Sequence, residues 1–309
     1  MELSIVIPVY NEAGAITQNL SVIAAELNEI SEHSFQIIIV NDGSKDKTAD
    51  EVRSLCKQNN SLELISFNRN FGKESALHAG LDYASGDAVI VMDSDLQHPP
   101  AMIVDMIELW MNGAKVVDGC KASRGRESVL SACLSKGFYY LFRKLTRIDI
   151  ENNSDFKLLD REVVDAYCEL SERKRFFRGM IPYLGFHTKR ILFEVPERCS
   201  GESSWSRFNL FKFALTALSS FTSAPLHLVS LMSMLFFMAS ILIGGIAVYD
   251  KITGDAVTGF TTVILLILIT GSLIMFALGQ IGIYIEQMFD ELKKRPYYIV
   301  DKKNSYLKK

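Results

Sequence analysis

The stretch Asp93-Ser94-Asp95-Leu96-Gln97 carries two carboxylates and an amide at a spacing of two, directly after the apolar, β-branched run Asp87 to Met92. Such a run reads as a strand buried on both faces, which puts the carboxylate pair at the strand's C-terminal edge. In extended backbone, residues two apart point the same way. The spacing therefore predicts that Asp93 and Asp95 reach one cation, with Gln97 on the same side. Oxygen-only ligands suit a hard ion, Mg²⁺ or Mn²⁺, which keeps several waters and shares its shell with substrate phosphates. A bare D-x-D also fits two solvated loop aspartates, and residues elsewhere in the chain must decide between the readings.

Those residues arrive at the ends of other predicted strands. Leu3 to Val9 ends in Tyr10-Asn11-Glu12, Phe35 to Val40 ends in Asn41-Asp42-Gly43-Ser44, and Leu62 to Phe67 is followed by Asn70-Phe71-Gly72-Lys73. Helical spacing over Ile16 to Ile30, Lys47 to Lys57 and Lys73 to Ala84 separates them. Strands alternating with helices, each strand ending in a polar cluster, predict an α/β fold with an open, mostly parallel sheet. Ligands bind such sheets at the strands' carboxyl ends, so Tyr10, Glu12, Asp42 and the Asp93 pair are expected on one edge. Asp42 is placed to accept hydrogen bonds from a base or ribose, or else to cap the following helix. Gly72 and Lys73 open a helix and could bring backbone N–H groups and a cation to a diphosphate.

The chain has 309 residues, 22 % of them charged, with a net charge of −3, which points to no nucleic-acid partner. Charge is unevenly distributed. Leu226 to Val248 contains no charged residue apart from a protonatable His227, and Gly259 to Ile285 contains none. Each stretch exceeds the roughly 20 residues that cross a bilayer core at about 1.5 Å per residue, so two transmembrane helices are predicted. Arg207 and Lys212 precede the first, and Lys293, Lys294 and Arg295 follow the second. The positive-inside rule then places both flanks in the cytoplasm, with residues 249–258 as a short external loop. The five cysteines lack C-x-x-C spacing and read as reduced structural thiols.

Ile7-Pro8-Val9-Tyr10-Asn11-Glu12, Val40-Asn41-Asp42-Gly43-Ser44 and Met92-Asp93-Ser94-Asp95-Leu96-Gln97-His98-Pro99-Pro100 resemble, in this order, the hallmark segments of family 2 inverting glycosyltransferases. The branch they resemble is the polyprenyl-phosphate glycosyltransferases, which includes bactoprenol glucosyltransferases and dolichol-phosphate mannose synthases. The resemblance runs over nearly the whole chain and implies a GT-A fold, Rossmann-like, in residues 1–200, followed by an amphipathic juxtamembrane segment, 201–225. Transmembrane helices at 226–248 and 259–285 and a cytoplasmic tail, 286–309, complete the expected plan. It implies donor contacts at Pro8, Tyr10, Asn11, Glu12, Asp42, Gly72, Lys73 and Asp93, and a metal, Mg²⁺ or Mn²⁺, on Asp93, Asp95 and Gln97.

The same resemblance puts the lipid phosphate near Lys121, where an arginine is usual, with Arg124, Arg198 and Ser203, and puts the catalytic carboxylate on Asp155. The usual Lys-Tyr after that serine is Ser204-Trp205 here, which removes a cation from the phosphate loop. The implied reaction moves a hexose, with glucose favoured from UDP-glucose, onto polyprenyl phosphate at the inner membrane. Membrane lipid, a homo-oligomer up to a tetramer and a flippase are the implied partners. Asp155 is usually described as a general base in that family. A phosphate monoester has a second pKa of about 6 and is already mostly a dianion at neutral pH, so little proton remains to remove. The expected role of Asp155 is therefore chiefly to orient cations, drawn from Lys121, Arg124 or Arg198, and to remove a residual proton. Asp160 is expected to cap the helix after it, and Phe176-Phe177-Arg178-Gly179-Met180 also fits the pattern of the resembled family, although by itself it reads as packing. A processive polysaccharide synthase would add a Q-x-x-R-W segment and more membrane helices, which this sequence lacks. A non-catalytic membrane scaffold on a degenerate transferase fold would have no use for acidic residues at three strand ends.

Overall fold

The computed structural model describes residues 1–30, 32–121, 137, 140, 142–146, 148–149, 153–173, 175–193, 224–253 and 260–307. Arg124, Arg198, Ser203 and the amphipathic segment up to residue 223 lie outside them, as does the side chain of Lys121. The chain forms two compact units. One comprises Met1–Ser204 with Arg295–Lys309, and the other Trp205–Lys294.

In the first unit, β1 (Glu2–Val9), β2 (Ser34–Asn41), β3 (Leu62–Ser66) and β4 (Ala88–Val91) alternate with α1 (Ile16–Glu29), α2 (Thr48–Cys56) and α3 (Lys73–Tyr83). There follow α4 (Met102–Met111), β5 (Val116–Lys121), β6 (Asn153–Asp160), α5 (Arg161–Glu169), α6 (Phe177–Tyr183) and β7 (Thr188–Phe193). The seven strands are ordered β3-β2-β1-β4-β6-β5-β7. β1 to β4 pair in parallel, whereas β6 runs antiparallel to both β4 and β5. The strands are apolar on both faces because helices cover both. Leu3, Ile5 and Ile7 of β1 share a core with Ile16, Leu20 and Ile23 of α1, Val52 of α2 and Met106 of α4. On the opposite face α3 lies so close that a Cβ on Gly80 would stand 2.2 Å from Val6 Cγ1. A glycine there lets helix backbone rest on the sheet.

The strand order reverses direction between β1 and β4, which is the switch point where the C-terminal loops of an open sheet diverge and leave a crevice. The antiparallel β6 was not evident from the sequence, and it has a direct consequence. Val91 of β4 pairs with Lys157 of β6. Continued two residues beyond the end of β4, the same register brings Asp93 level with Asp155.

Residues 295–307, expected as a tail, return to the first unit and lie along β3. Leu64 and Tyr306 exchange backbone hydrogen bonds of 2.8 and 2.7 Å, and Phe67 bridges Val300. The second unit contains α7 (Ala224–Thr253) and α8 (Phe260–Leu292). Val229–Ile246 and Ile269–Leu292 are windows long and apolar enough to cross a membrane, with mean hydropathies of 2.2 and 1.4. Helix α7 continues through Asp250 and Lys251, which the sequence reading placed in a loop.

Candidate active site

The loop after β1 is stitched to the loop after β2. Asn11, at φ 54°, donates its N–H to Ser44 Oγ and accepts from Lys45 N, both at 2.9 Å. Glu12 N–H donates to Thr48 Oγ1 at 2.9 Å. Tyr10 stays 42 % exposed at the rim, whereas Pro8 is buried within β1, level with Val40. The Glu12 side chain reaches across to β4, where Ser94 Oγ donates to its Oε2 at 2.5 Å. Burial pushes the Glu12 carboxyl up, against the pull of the Ser94 hydrogen bond, and Asp95 and Asp93 push it in the same direction as burial.

Asp42 departs from the helix-capping expectation. Its side chain is buried and caps no helix, and it accepts the N–H groups of Phe71 at 2.6 Å and Gly72 at 2.9 Å. Those two N–H groups, expected to face a diphosphate, are spent on Asp42. Burial raises the Asp42 carboxyl and the two hydrogen bonds offset part of that rise. Gly43 stands at φ 62°, and a Cβ there would lie 2.2 Å from the backbone carbon of Arg69. The loop carrying Asp42 and the loop leading to Lys73 therefore touch backbone to backbone.

The D-x-D stretch is a turn, not extended chain, because β4 ends at Val91 and Leu96 takes a left-handed φ of 58°. Asp93 is placed by a residue that the sequence reading left without a role. Its N–H donates to His98 Nδ1 at 3.0 Å, and the His98 ring stacks on Phe156 at 5.0 Å and 8°. Accepting that bond requires an unprotonated Nδ1, and burial lowers the His98 pKa accordingly. Asp95 Oδ1 accepts the Gln97 N–H at 3.1 Å, which closes the turn.

Lys73, on the first turn of α3, donates to Asp93 Oδ1 at 2.5 Å and to Asp155 Oδ2 at 2.7 Å. Arg178, read from the sequence as packing, forks onto Asp155 from the other side. Its Nε lies 2.7 Å from Oδ1 and its Nη2 lies 2.9 Å from Oδ2. Burial by itself would raise the Asp155 carboxyl, but the Arg178 hydrogen bonds and charge, and then Lys73, hold it well below the usual carboxylate range. Burial likewise works against the charge on Lys73, and Asp93 and Asp155 overcome it. Among the described residues the cations that meet Asp155 are Lys73 and Arg178; Arg124, Arg198 and the Lys121 side chain, which the sequence points to for this role, lie outside those residues. A charge inside the apolar run Phe176 to Met180 was the available signal for Arg178.

Behind this cluster, Lys157 is buried on β6 and bonds Asp118 of β5, with Asn153 Oδ1 accepting from it at 3.0 Å. Asp160 caps α5 as expected, accepting the Glu162 N–H at 3.1 Å.

Among the described residues no group of three or more His, Cys, Asp or Glu converges as a ligand set. The oxygen donors of Asp93, Asp95 and Gln97 nonetheless have the chemistry of a hard-cation site. Among the described residues, Glu12, Asp93, Asp95 and Asp155 set four carboxylates against Lys73 and Arg178, an excess that favours a further positive charge.

Comparison with known proteins identifies the family. The sequence model of glycosyl transferase family 2 matches residues 4–168. The chain is 37 % identical to an uncharacterized glycosyltransferase of Synechocystis sp., over 97 % of this chain and 95 % of that one. It is 36 % identical to a prophage-derived bactoprenol glucosyl transferase of Shigella flexneri, over 98 % of each. Among solved structures, mannosyl-3-phosphoglycerate synthase from Rubrobacter xylanophilus superposes with a TM-score of 0.46 at 19 % identity, covering 71 % of this chain and 73 % of that one. The mixed, mostly parallel sheet with acidic strand ends is the GT-A-like fold of a sugar-transferring enzyme. The chain belongs to glycosyl transferase family 2 and is a glycosyltransferase.

Proposed function

We propose that this enzyme transfers a hexose, glucose by preference, from a nucleoside diphosphate sugar to a polyprenyl monophosphate, in one inverting displacement at the cytoplasmic face of the inner membrane. The observation that carries this reading is the Lys73-Asp155-Arg178 cluster beside Asp93. Two cations held on one buried carboxylate can turn their remaining donors to phosphate oxygens while Asp155 keeps both in place. Relatives bearing the name bactoprenol glucosyl transferase, matched over nearly their full length, support the acceptor class. The two apolar helices give such an enzyme a reason to sit in a membrane, because the isoprenoid tail stays in the bilayer and the nucleotide does not enter it.

Asp93, Asp95 and Gln97 would hold Mg²⁺ or Mn²⁺, which supplies charge compensation for the departing diphosphate. The protein's own residues do the rest. Asp42 keeps the Phe71–Gly72 backbone against the sheet, so the donor pocket has a fixed floor. Lys73 and Arg178 neutralise like charge where two phosphates must approach one another. The acceptor phosphate, mostly dianionic at neutral pH, attacks with its own oxygen and needs little proton transfer. Positioning and electrostatics therefore supply most of the rate.

Transfer of radiolabelled sugar from a panel of nucleotide donors into organic-extractable lipid, in membranes containing the protein, tests the reading. Metal-dependent labelling from UDP-glucose that disappears in Asp95→Asn is the expected result. Absence of lipid label from every donor, with folded protein and added polyprenyl phosphate, refutes it.

A further inference from the structure

We propose that Glu74 is a positioning residue of this site, tying α6 to α3 so that Arg178 and Lys73 meet across Asp155. The inference rests on the transfer reaction above and concerns how its cation pair is assembled. Glu74 follows Lys73 in the first turn of α3, and its Oε2 accepts the N–H of Phe177 at 2.9 Å. Phe177 opens α6, whose preceding residue Phe176 provides no side-chain cap, and Arg178 is the next residue. One carboxylate on α3 therefore fixes the backbone a single residue before the guanidinium that forks onto Asp155. Its neighbour Lys73 bonds the same Asp155 from the α3 side. The sequence joins Lys73 to Glu74 and Phe177 to Arg178, and the fold crosses the two pairs at β6.

Among the described residues, the groups facing Glu74 are Lys73 on its own helix, Asp155 on β6, Arg178 on α6 and Tyr167 on α5. Burial lifts the Glu74 carboxyl to about 7, with Asp155 adding to the rise and the Phe177 N–H, Arg178 and Lys73 opposing it. An ionised carboxylate and a neutral carboxyl both retain an oxygen able to accept the Phe177 N–H. The tie therefore persists through that titration, and a glutamine can reproduce it.

Full-length enzyme in membranes, as wild type, Glu74→Ala and Glu74→Gln, tests the proposal by steady-state transfer and by amide hydrogen exchange across Phe177–Tyr183. A misplacement of about 1 Å can cost about 10²-fold in rate, so Glu74→Ala should lose about 10- to 100-fold in kcat with donor KM little changed. Its α6 amides should exchange faster, and Glu74→Gln should stay within about threefold of wild type in kcat with wild-type exchange. Wild-type kcat in Glu74→Ala overturns the proposal whatever the exchange shows, and so does a Glu74→Gln enzyme that falls as far as the alanine variant. If wild type itself transfers no sugar, the functional reading fails separately. The exchange comparison then decides the tie alone, and identical exchange in wild type and Glu74→Ala overturns it.

Discussion

A carboxylate that accepts two hydrogen bonds from Arg178 and a third from Lys73 has little basicity left, and Asp155 is in that position. General bases work best with a pKa near the operating pH, whereas the two cations hold Asp155 far below it. Its chemical value is as an anchor. Asp155→Asn keeps one oxygen for Arg178 but loses the charge and replaces the oxygen that accepts from Arg178 Nη2 and Lys73 Nζ with an amide nitrogen. With no base lost, it should still retain more activity than Asp95→Asn. The kcat of Asp155→Asn should also follow the wild-type pH profile through the neutral range, because no base is lost. An equal collapse of kcat in both variants, measured by lipid labelling at several pH values, would sink the anchor role.

At the scale of elements, the question is what keeps β6 seated between β4 and β5. Lys157 and Asp118 form an ion pair almost wholly removed from water, with side chains 1 % and 4 % exposed. Burial weakens the charged form of each, lowering the lysine and raising the aspartate, and their attraction offsets that cost. Lys157→Met leaves Asp118 buried without its partner and should destabilise the domain by about 3–5 kcal/mol. Replacing both, as Lys157→Met with Asp118→Leu, should recover most of that loss. Denaturant unfolding of the two variants decides the matter, and a double variant as unstable as the single one would contradict it.

Element by element, the sequence was uneven in what it made readable. Strands β1 to β4 were legible because each is a short apolar run ending in polar residues, and the ends of three of them carried the site's acidic groups. Antiparallel β6 was not legible, since four of the five residues Asn153-Ser154-Asp155-Phe156-Lys157 are polar, although the structure buries them. Glu74 and Arg178 escaped notice for a related reason. Each is one polar residue in an ordinary helical context whose role comes from a partner on another element, Phe177 at 103 residues from Glu74 and Asp155 at 23 residues from Arg178. His98 was quoted within its motif, but its stacking on Phe156 depends on the same unforeseen strand.

The whole molecule closes on its own edge. β3 is an outer strand, and an uncovered edge presents unpaired backbone groups to other chains. Residues 297–306 cover it by strand addition, with Asn68 N–H donating to Ile299 O at 3.1 Å and Asp301 N–H to Ser66 O at 2.7 Å. Tyr298 stacks on Phe67 at 5.0 Å and donates its hydroxyl to Asp82 at 3.1 Å. Tyr297 lies edge-on to His78 at 5.0 Å and beneath the Arg175 guanidinium at 4.7 Å. His78 is thus enclosed by Tyr167, Tyr297 and Tyr298, with Arg175 and Asp82 as its nearest charges. Burial first, and Arg175 next, lower its pKa to about 4.

Between that value and about 6.5, an undocked His78 binds a proton that the docked one refuses, so docking weakens as pH falls through this window. Glu74, lifted to about 7, has the opposite sign, because the folded carboxyl takes up its proton first and the same acidification stabilises it. A global melting temperature therefore mixes the two and reads neither. Amide exchange across residues 297–306, corrected for the intrinsic pH dependence of exchange, isolates the strap. Protection should fall between pH 7 and pH 5 in wild type. In His78→Phe, which keeps an aromatic ring against Tyr297 and has nothing to titrate, that fall should disappear. A strap that loosens equally in both proteins would show that another group drives the release.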